Sequence, residues 1–132
     1  MFVLDYRSKL PIYEQLQTQM MKLIVGGVLK ENDQLPAVRT LAMELGVNPN
    51  TVQKAYAECE RVGMIVSVTG KGSFVSNPAI SMQLYMKEKF KELKTLIQES
   101  IEYGLDPNII INAVTAWCEK GEWDYDPTQS SH

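Results

Sequence analysis

The chain has 132 residues, enough for one core and an appendage but too short for two full cores. Apolar residues make up 45% and charged residues 22%, an ordinary globular balance, and no apolar run reaches the ~20 residues that cross a bilayer. The net charge is −3, with eight Lys/Arg against seven Asp/Glu in residues 1–77 and five against nine in 78–132, so any nucleic-acid function must rest on a local patch.

The opening MFVLDYRSKLP mixes charges of both signs and lacks an apolar signal core, which makes the cytoplasm the default location. PIYEQLQTQMMKLIVGG then reads as a first helix. Ile12, Leu16, Met20, Leu23 and Ile24 recur at helical spacing, Pro11 suits the first turn and Gly26-Gly27 stops the run. VLKENDQLP reads as a turn, with Asn32 where a positive φ is expected.

AVRTLAMELG predicts a short second helix with a stripe of Val38, Leu41, Ala42 and Leu45, ended by Gly46. Asn48 is placed to cap a third helix and Pro49 to open it. Val47 and Val52 then occupy the two positions of a hydrophobic staple. That helix runs through Val62 to Gly63. MIVSV, TGKG and SFV predict two short strands around a Gly-rich turn, Thr69 to Ser73.

Asn77-Pro78 marks a boundary, after which a longer helix reaches Tyr103 and Gly104. GLDPN repeats the punctuation of GVNPN, with Asp106 as cap, Pro107 first and Leu105 with Ile110 as staple, and opens a last helix to about Glu119. The expected fold is mainly α with a small β-hairpin. A winged helix-turn-helix domain spans 1–77, a two-helix dimerisation region 78–120 and an acidic, flexible tail 121–132, in which Trp123 and Tyr125 are candidates to dock.

Cys59 and Cys118 are isolated within apolar helical patterns, so both are read as packing residues rather than zinc or redox ligands. His132, the single histidine, is read as part of a solvated tail. No catalytic constellation, paired carboxylates or metal-ligand spacing is present, so neither an enzyme nor a cofactor is expected.

Two short helices joined by a tight turn and followed by a hairpin have the order of a winged helix-turn-helix. The third helix turns Val52, Ala55, Tyr56 and Cys59 to one side and Asn50, Gln53, Lys54, Ala57 and Arg61 to the other. Asn and Gln pair with adenine, and Lys reaches guanine or phosphate, from the helix end that enters the major groove. A cationic, Gly-flanked hairpin tip suits phosphates or the minor groove. It is not a phosphate loop, because strand-like residues follow where such a loop opens a helix.

LPAVRTLAMELGVNPNTVQKAYAECERVGMIVSVTGKGSFV, residues 35–75, resembles the winged helix-turn-helix of GntR-family bacterial transcription regulators, and PIYEQLQTQMMKLIVGGVL fits that family's first helix. The NPNTV…AY segment with a short two-helix C-terminal part is most similar to the YtrA subfamily. The resemblance implies a homodimer that binds double-stranded operator DNA at an inverted repeat, usually as a repressor. It implies DNA contacts by Arg39, Asn48, Asn50, Thr51, Gln53 and Lys54, and by Gly70, Lys71 and Gly72 of the wing. Ala37 stands where the family commonly has Ser, Asn32 where Gly is usual, Cys59 where Leu is usual, and Val68-Thr69 where many members are basic.

In the C-terminal half, Met86, Phe90, Leu93, Ile97 and Ile101 follow a short heptad-like seam. IIINAVTAWC is apolar around much of its circumference, more than two helices can cover. Pairing with a second copy through Phe90, Leu93, Ile97, Ile101, Ile110, Val114 and Trp117 is the expected solution. About 55 residues leave little room for an effector domain, so a small-molecule effector of unknown identity is placed only at a dimer interface near Trp117 or Tyr103. The alternative is a winged-helix module for protein or RNA, favoured by the negative charge and the weakly cationic wing.

Overall fold

A computed structural model describes residues 1–129; the expectation for His132 lies outside them. The elements, in order, are α1 (Ile12–Val25), α2 (Val38–Leu45), α3 (Pro49–Arg61), β1 (Ile65–Val68), β2 (Gly72–Val75), α4 (Pro78–Glu102) and α5 (Pro107–Cys118). The chain divides into two compact units, Met1–Lys87 and Glu88–His132. The division falls inside α4 and not at Asn77-Pro78. Asn77 does cap α4, its Oδ1 accepting from Ala79 N at 3.0 Å, but the helix's first turns belong to the first unit. Ser81 is fully buried there, and Leu84 and Tyr85 pack against the first unit's core.

That core gathers Leu16, Met20, Met21 and Ile24 of α1, Leu41 and Ala42 of α2, and Val52, Ala55, Tyr56 and Cys59 of α3. Met64, Ile65 and Val75 close it from the hairpin side. The apolar spacings are thus satisfied on facing sides of three short helices, none of which would hold together alone.

The N-terminal segment joins this core in a way its composition does not announce. Phe2 is buried. The buried Gln15 carboxamide accepts from Asp5 N and donates to the Asp5 and Leu10 carbonyls, each at 2.9 Å. Gln19 pairs with both backbone groups of Val3. Two α1 glutamines therefore satisfy backbone groups of an irregular segment.

β1 and β2 pair antiparallel from Ile65↔Val75 to Val68↔Gly72. The segment read from sequence as a turn supplies more than a turn. Asn32 N donates to Val75 O at 2.8 Å, Val75 N to Asp33 O at 2.9 Å and Leu35 N to Ser73 O at 2.9 Å, so the free edge of β2 is paired. NDQL has weak strand propensity, and the partner edge decides its conformation. Asn32 does have positive φ, 69°.

In the second unit, α5 starts with the chemistry that starts α3. Asp106 Oδ1 accepts from Asn108 N at 2.9 Å, Pro107 opens the helix, and Leu105 N closes back on Ser100 O at 3.0 Å. Ala113 and Ala116 are its buried residues. Cys118 is exposed, which corrects its reading as a packing residue: α5 is apolar nearly all round and its own unit covers only part of it. After α5 the chain folds back in turns. Glu122 N donates to Ala116 O at 2.9 Å, and the Trp117 indole N–H donates to Tyr125 O at 2.8 Å. Trp123 points to solvent, 73% exposed.

Candidate nucleic-acid interface

The turn between α2 and α3 aims the third helix. Gly46 takes the left-handed conformation, φ 68°, and Val47 N reaches back to Ala42 O at 3.0 Å, so α2 ends in one residue. Asn48 Oδ1 then accepts from Asn50 N at 2.8 Å with Pro49 in the first helical position. Val47 is half-buried and Val52 fully buried, the arrangement the staple requires. Capping occupies the Asn48 carbonyl and leaves its NH2 end for other partners.

Val52, Ala55, Tyr56 and Cys59 are all buried, and Asn50, Gln53, Lys54, Ala57 and Arg61 are all exposed. The amphipathic split expected from the sequence is therefore the split in the structure. Thr51 is half-buried at the margin. Arg61 sits on the expected face but is engaged: its guanidinium holds the Glu58 carboxylate through Nε and Nη2, which lowers the Glu58 pKa. The Lys54 ammonium lies 3.8 Å from the centroid of the Tyr13 ring, on α1.

α2 contributes Arg39, exposed in its first turn. The approach to α2 is fixed from α3, where the Tyr56 hydroxyl donates to Pro36 O at 2.7 Å. Burial pushes the Tyr56 phenol up to about 12, so it remains a donor at neutral pH. Ala37 is the N-cap of α2 and offers no side-chain acceptor, so the helix starts uncapped.

The wing turn is tighter than expected: Thr69, Gly70 and Lys71 span it, while Gly72 and Ser73 belong to β2. Lys71 N donates to Val68 O at 2.9 Å, and Lys71 is exposed at the tip. Gly72 has φ 117°, and a Cβ there would lie 2.9 Å from Gln34 Nε2. That amide donates to the Lys71 carbonyl at 2.9 Å. One pair below the turn, the Glu60 carboxylate accepts from Ser67 N at 3.2 Å and Ser67 Oγ at 3.1 Å, tying β1 to α3.

The sequence reading missed Tyr13, Gln34 and Glu60. Tyr13 and Gln34 meet partners far away in sequence, and Glu60 reaches from a helix to a strand across a turn, contacts for which helical or strand spacing carries no signal. The residues proposed for a dimer interface lie in the second unit or at its start. Ile97, Ile101, Ile110 and Val114 line one apolar cleft of about 350 Å³ with Pro107, Ile111 and Thr115. Ile110 and Trp117 line another of about 390 Å³ with Leu105, Ile109, Ala113, Pro127 and Thr128. Phe90 and Leu93 are exposed on α4, at 62% and 45%.

Three helices around one core, the third presenting a polar face from a capped N-terminus, and a hairpin with a cationic tip define a winged helix-turn-helix. Residues 12–75 match the family described as bacterial regulatory proteins, gntR family. The chain is 43% identical over 98 residues, 70% of its own length and 75% of the relative's, to the HTH-type transcriptional repressor YtrA of Bacillus subtilis. It is 32% identical to the uncharacterized HTH-type transcriptional regulator YhcF of the same organism, covering 89% of this chain and 98% of that one. A crystal structure of a transcriptional regulator from Oenococcus oeni superposes with a TM-score of 0.77 at 34% identity, covering 87% of this chain and 97% of the other. The chain belongs to the GntR family of bacterial transcription regulators.

Proposed function

We propose that the protein is a cytoplasmic repressor that binds an inverted-repeat operator as a homodimer. The observation that carries this reading is the exposed row of Asn50, Gln53 and Lys54 at the capped start of α3, accompanied by a wing that ends in Lys71. Placed in a major groove, that row offers carboxamides to adenine edges and an ammonium to guanine or phosphate. Arg39, Asn48 and Thr51 flank it, and Gly70 and Gly72 let the wing backbone come close to the duplex. The repressor role is the one named for the 43% identical relative.

A negative total charge is compatible with this because phosphate contact depends on the local surface. Dimerisation answers a separate need. Phe90, Leu93, Ile101, Ile111 and Val114 leave more apolar surface on α4 and α5 than a monomer normally exposes. Two copies related by a two-fold axis would place two reading helices on half-sites about 34 Å apart, one helical turn of DNA.

The test compares binding to the gene's own upstream DNA with binding to random duplex at two salt concentrations. Specific binding with a steep salt dependence supports an operator-binding regulator. Equal, feeble binding to both duplexes would favour a winged-helix module for protein or RNA instead.

A further inference from the structure

Lys54 and Glu58 stand one helical turn apart on α3, the spacing at which a lysine and a glutamate ordinarily pair. No close ion pair joins them among the described residues, although the Lys54 charge adds to Arg61 in lowering the Glu58 pKa. Arg61 occupies the Glu58 carboxylate, and the Lys54 ammonium lies instead over the Tyr13 ring, 3.8 Å from its centroid. The ring is a fixed platform: it is half-buried and packed against the core, and its hydroxyl donates to Glu14 Oε1 at 3.1 Å.

An exposed lysine on a four-carbon stem samples many rotamers, and ordering it on contact with a ligand opposes binding. A cation held over an aromatic face has already lost part of that freedom while keeping its charge and its N–H donors toward solvent. We propose that Tyr13 is a positioning residue of the DNA interface, holding the Lys54 ammonium in place for a backbone phosphate of the duplex. This rests on the operator-binding reading above. The arrangement has two parts: Arg61 pairs with the competing Glu58 carboxylate, and the Tyr13 ring receives Lys54.

The experiment is a double-mutant cycle on binding to the gene's upstream duplex, with random duplex as control. Tyr13→Leu is expected to weaken specific binding about two- to tenfold, the scale of ordering one long side chain on binding. The salt slope should not change, because Lys54 keeps its charge. Tyr13→Phe retains the ring and is expected to bind as the wild type does. In a Lys54→Ala background, Tyr13→Leu should cost nothing further, whereas a general folding defect would weaken both backgrounds alike. In the free protein, the Lys54 ε-methylene protons should be ring-shifted upfield, and the shift should survive Tyr13→Phe and vanish in Tyr13→Leu.

Equal losses from Tyr13→Leu in both Lys54 backgrounds overturn the proposal, as does unweakened binding by Tyr13→Leu alone. If the wild type itself shows no specific binding, the operator reading fails and takes the proposal with it. Specific wild-type binding with additive losses sinks the Tyr13 role alone.

Discussion

The side chain of Gln34 donates to the backbone carbonyl of Lys71 at 2.9 Å, so the cationic tip of the wing hangs from the segment that leads into α2. Space for this contact exists because Gly72 lacks a Cβ, which would sit 2.9 Å from the same amide nitrogen. The wing's geometry therefore depends on a residue that precedes it by 37 positions.

Gly72→Ala is expected to destabilise the protein more than Gly70→Ala. At Gly70 the φ of 75° is one that L-residues tolerate at modest cost, and nothing lies within reach of an added methyl. At Gly72 the φ of 117° lies well outside the left-handed helical region, and strain of this kind costs about 1–3 kcal/mol. The Gln34 amide must also swing away from the added methyl and give up its bond to Lys71 O. Denaturant midpoints of the two variants measure the difference. Gln34→Leu should leave the midpoint nearly unchanged and weaken duplex binding through a less ordered tip. An unweakened Gln34→Leu would mean that the tip needs no anchor.

Ala37→Ser should be a stabilising change. Ala37 is the N-cap of α2, with extended backbone at φ −60° and ψ 146°, and offers no acceptor to the helix's free N–H groups. A serine hydroxyl supplies one, and Ser-to-Ala differences at this position run at about 1 kcal/mol. The melting temperature should rise by roughly 4–8 °C for a cooperative unit of this size. An unchanged melting temperature would show that α2 is already held by Tyr56 and the core.

Much of this architecture could be read from the chain. Val52, Ala55, Tyr56 and Cys59 announced the buried side of α3, and Gly46 with Asn48-Pro49 announced its starting angle, because helical period and capping are local rules. Asn32's positive φ was legible for the same reason. What escaped was non-local. The pairing of 32–35 with β2 is imposed by an available sheet edge, and the Tyr13–Lys54 and Gln34–Lys71 contacts join residues far apart in sequence. The exposure of Cys118 was missed because apolar periodicity says which residues seek cover, not whether their own unit can provide it. Likewise the domain division moved into α4 because one helix serves two units, which no loop composition reveals.

Stability should fall in alkali. Burial raises the Tyr56 phenol from 10.0 and the Cys59 thiol from 9.0, both to about 12. The unfolded chain releases these protons at the lower values while the folded chain retains them. The stabilisation is therefore complete below about pH 9 and is lost as the pH rises toward 12. Denaturant midpoints at pH 8 and pH 10.5 should show the drop. Cys59→Ala should be weaker at both pH values because of the small void it leaves, yet its drop between them should be shallower. Parallel drops in the two proteins would rule out Cys59 as a contributor.

Lys71 and Gln53 should fail in different ways. Lys71→Ala removes a cation from the wing tip, so specific and random duplex should both bind more weakly and the salt slope should shrink by about 1. Gln53→Ala removes a carboxamide from the exposed face of α3. If it reads a base edge, it should cost about 1–3 kcal/mol and relax preference at one position of the site. A selection from randomised duplexes separates the two. Retention of every base preference by Gln53→Ala would move the reading role to Asn50.

The second unit makes the last prediction. Ile101 on α4 and Val114 on α5 line the same apolar cleft, and each is about two-fifths exposed in the single chain. A charge at such a position costs a monomer little, since water still reaches it. Within an interface the same charge is stripped of water and unpaired, at about 3–5 kcal/mol. Ile101→Glu should therefore leave the melting of the DNA-binding unit intact while converting a dimer to monomers in sedimentation at micromolar concentration. Binding to an inverted repeat should fall with it, because a monomer engages one half-site and loses the gain in effective concentration of the second. Binding to a single half-site should hardly change. A wild-type chain that sediments as a monomer would remove the basis for this interface. So would an Ile101→Glu variant that stays dimeric, and α4 and α5 would then need another partner for their exposed apolar faces.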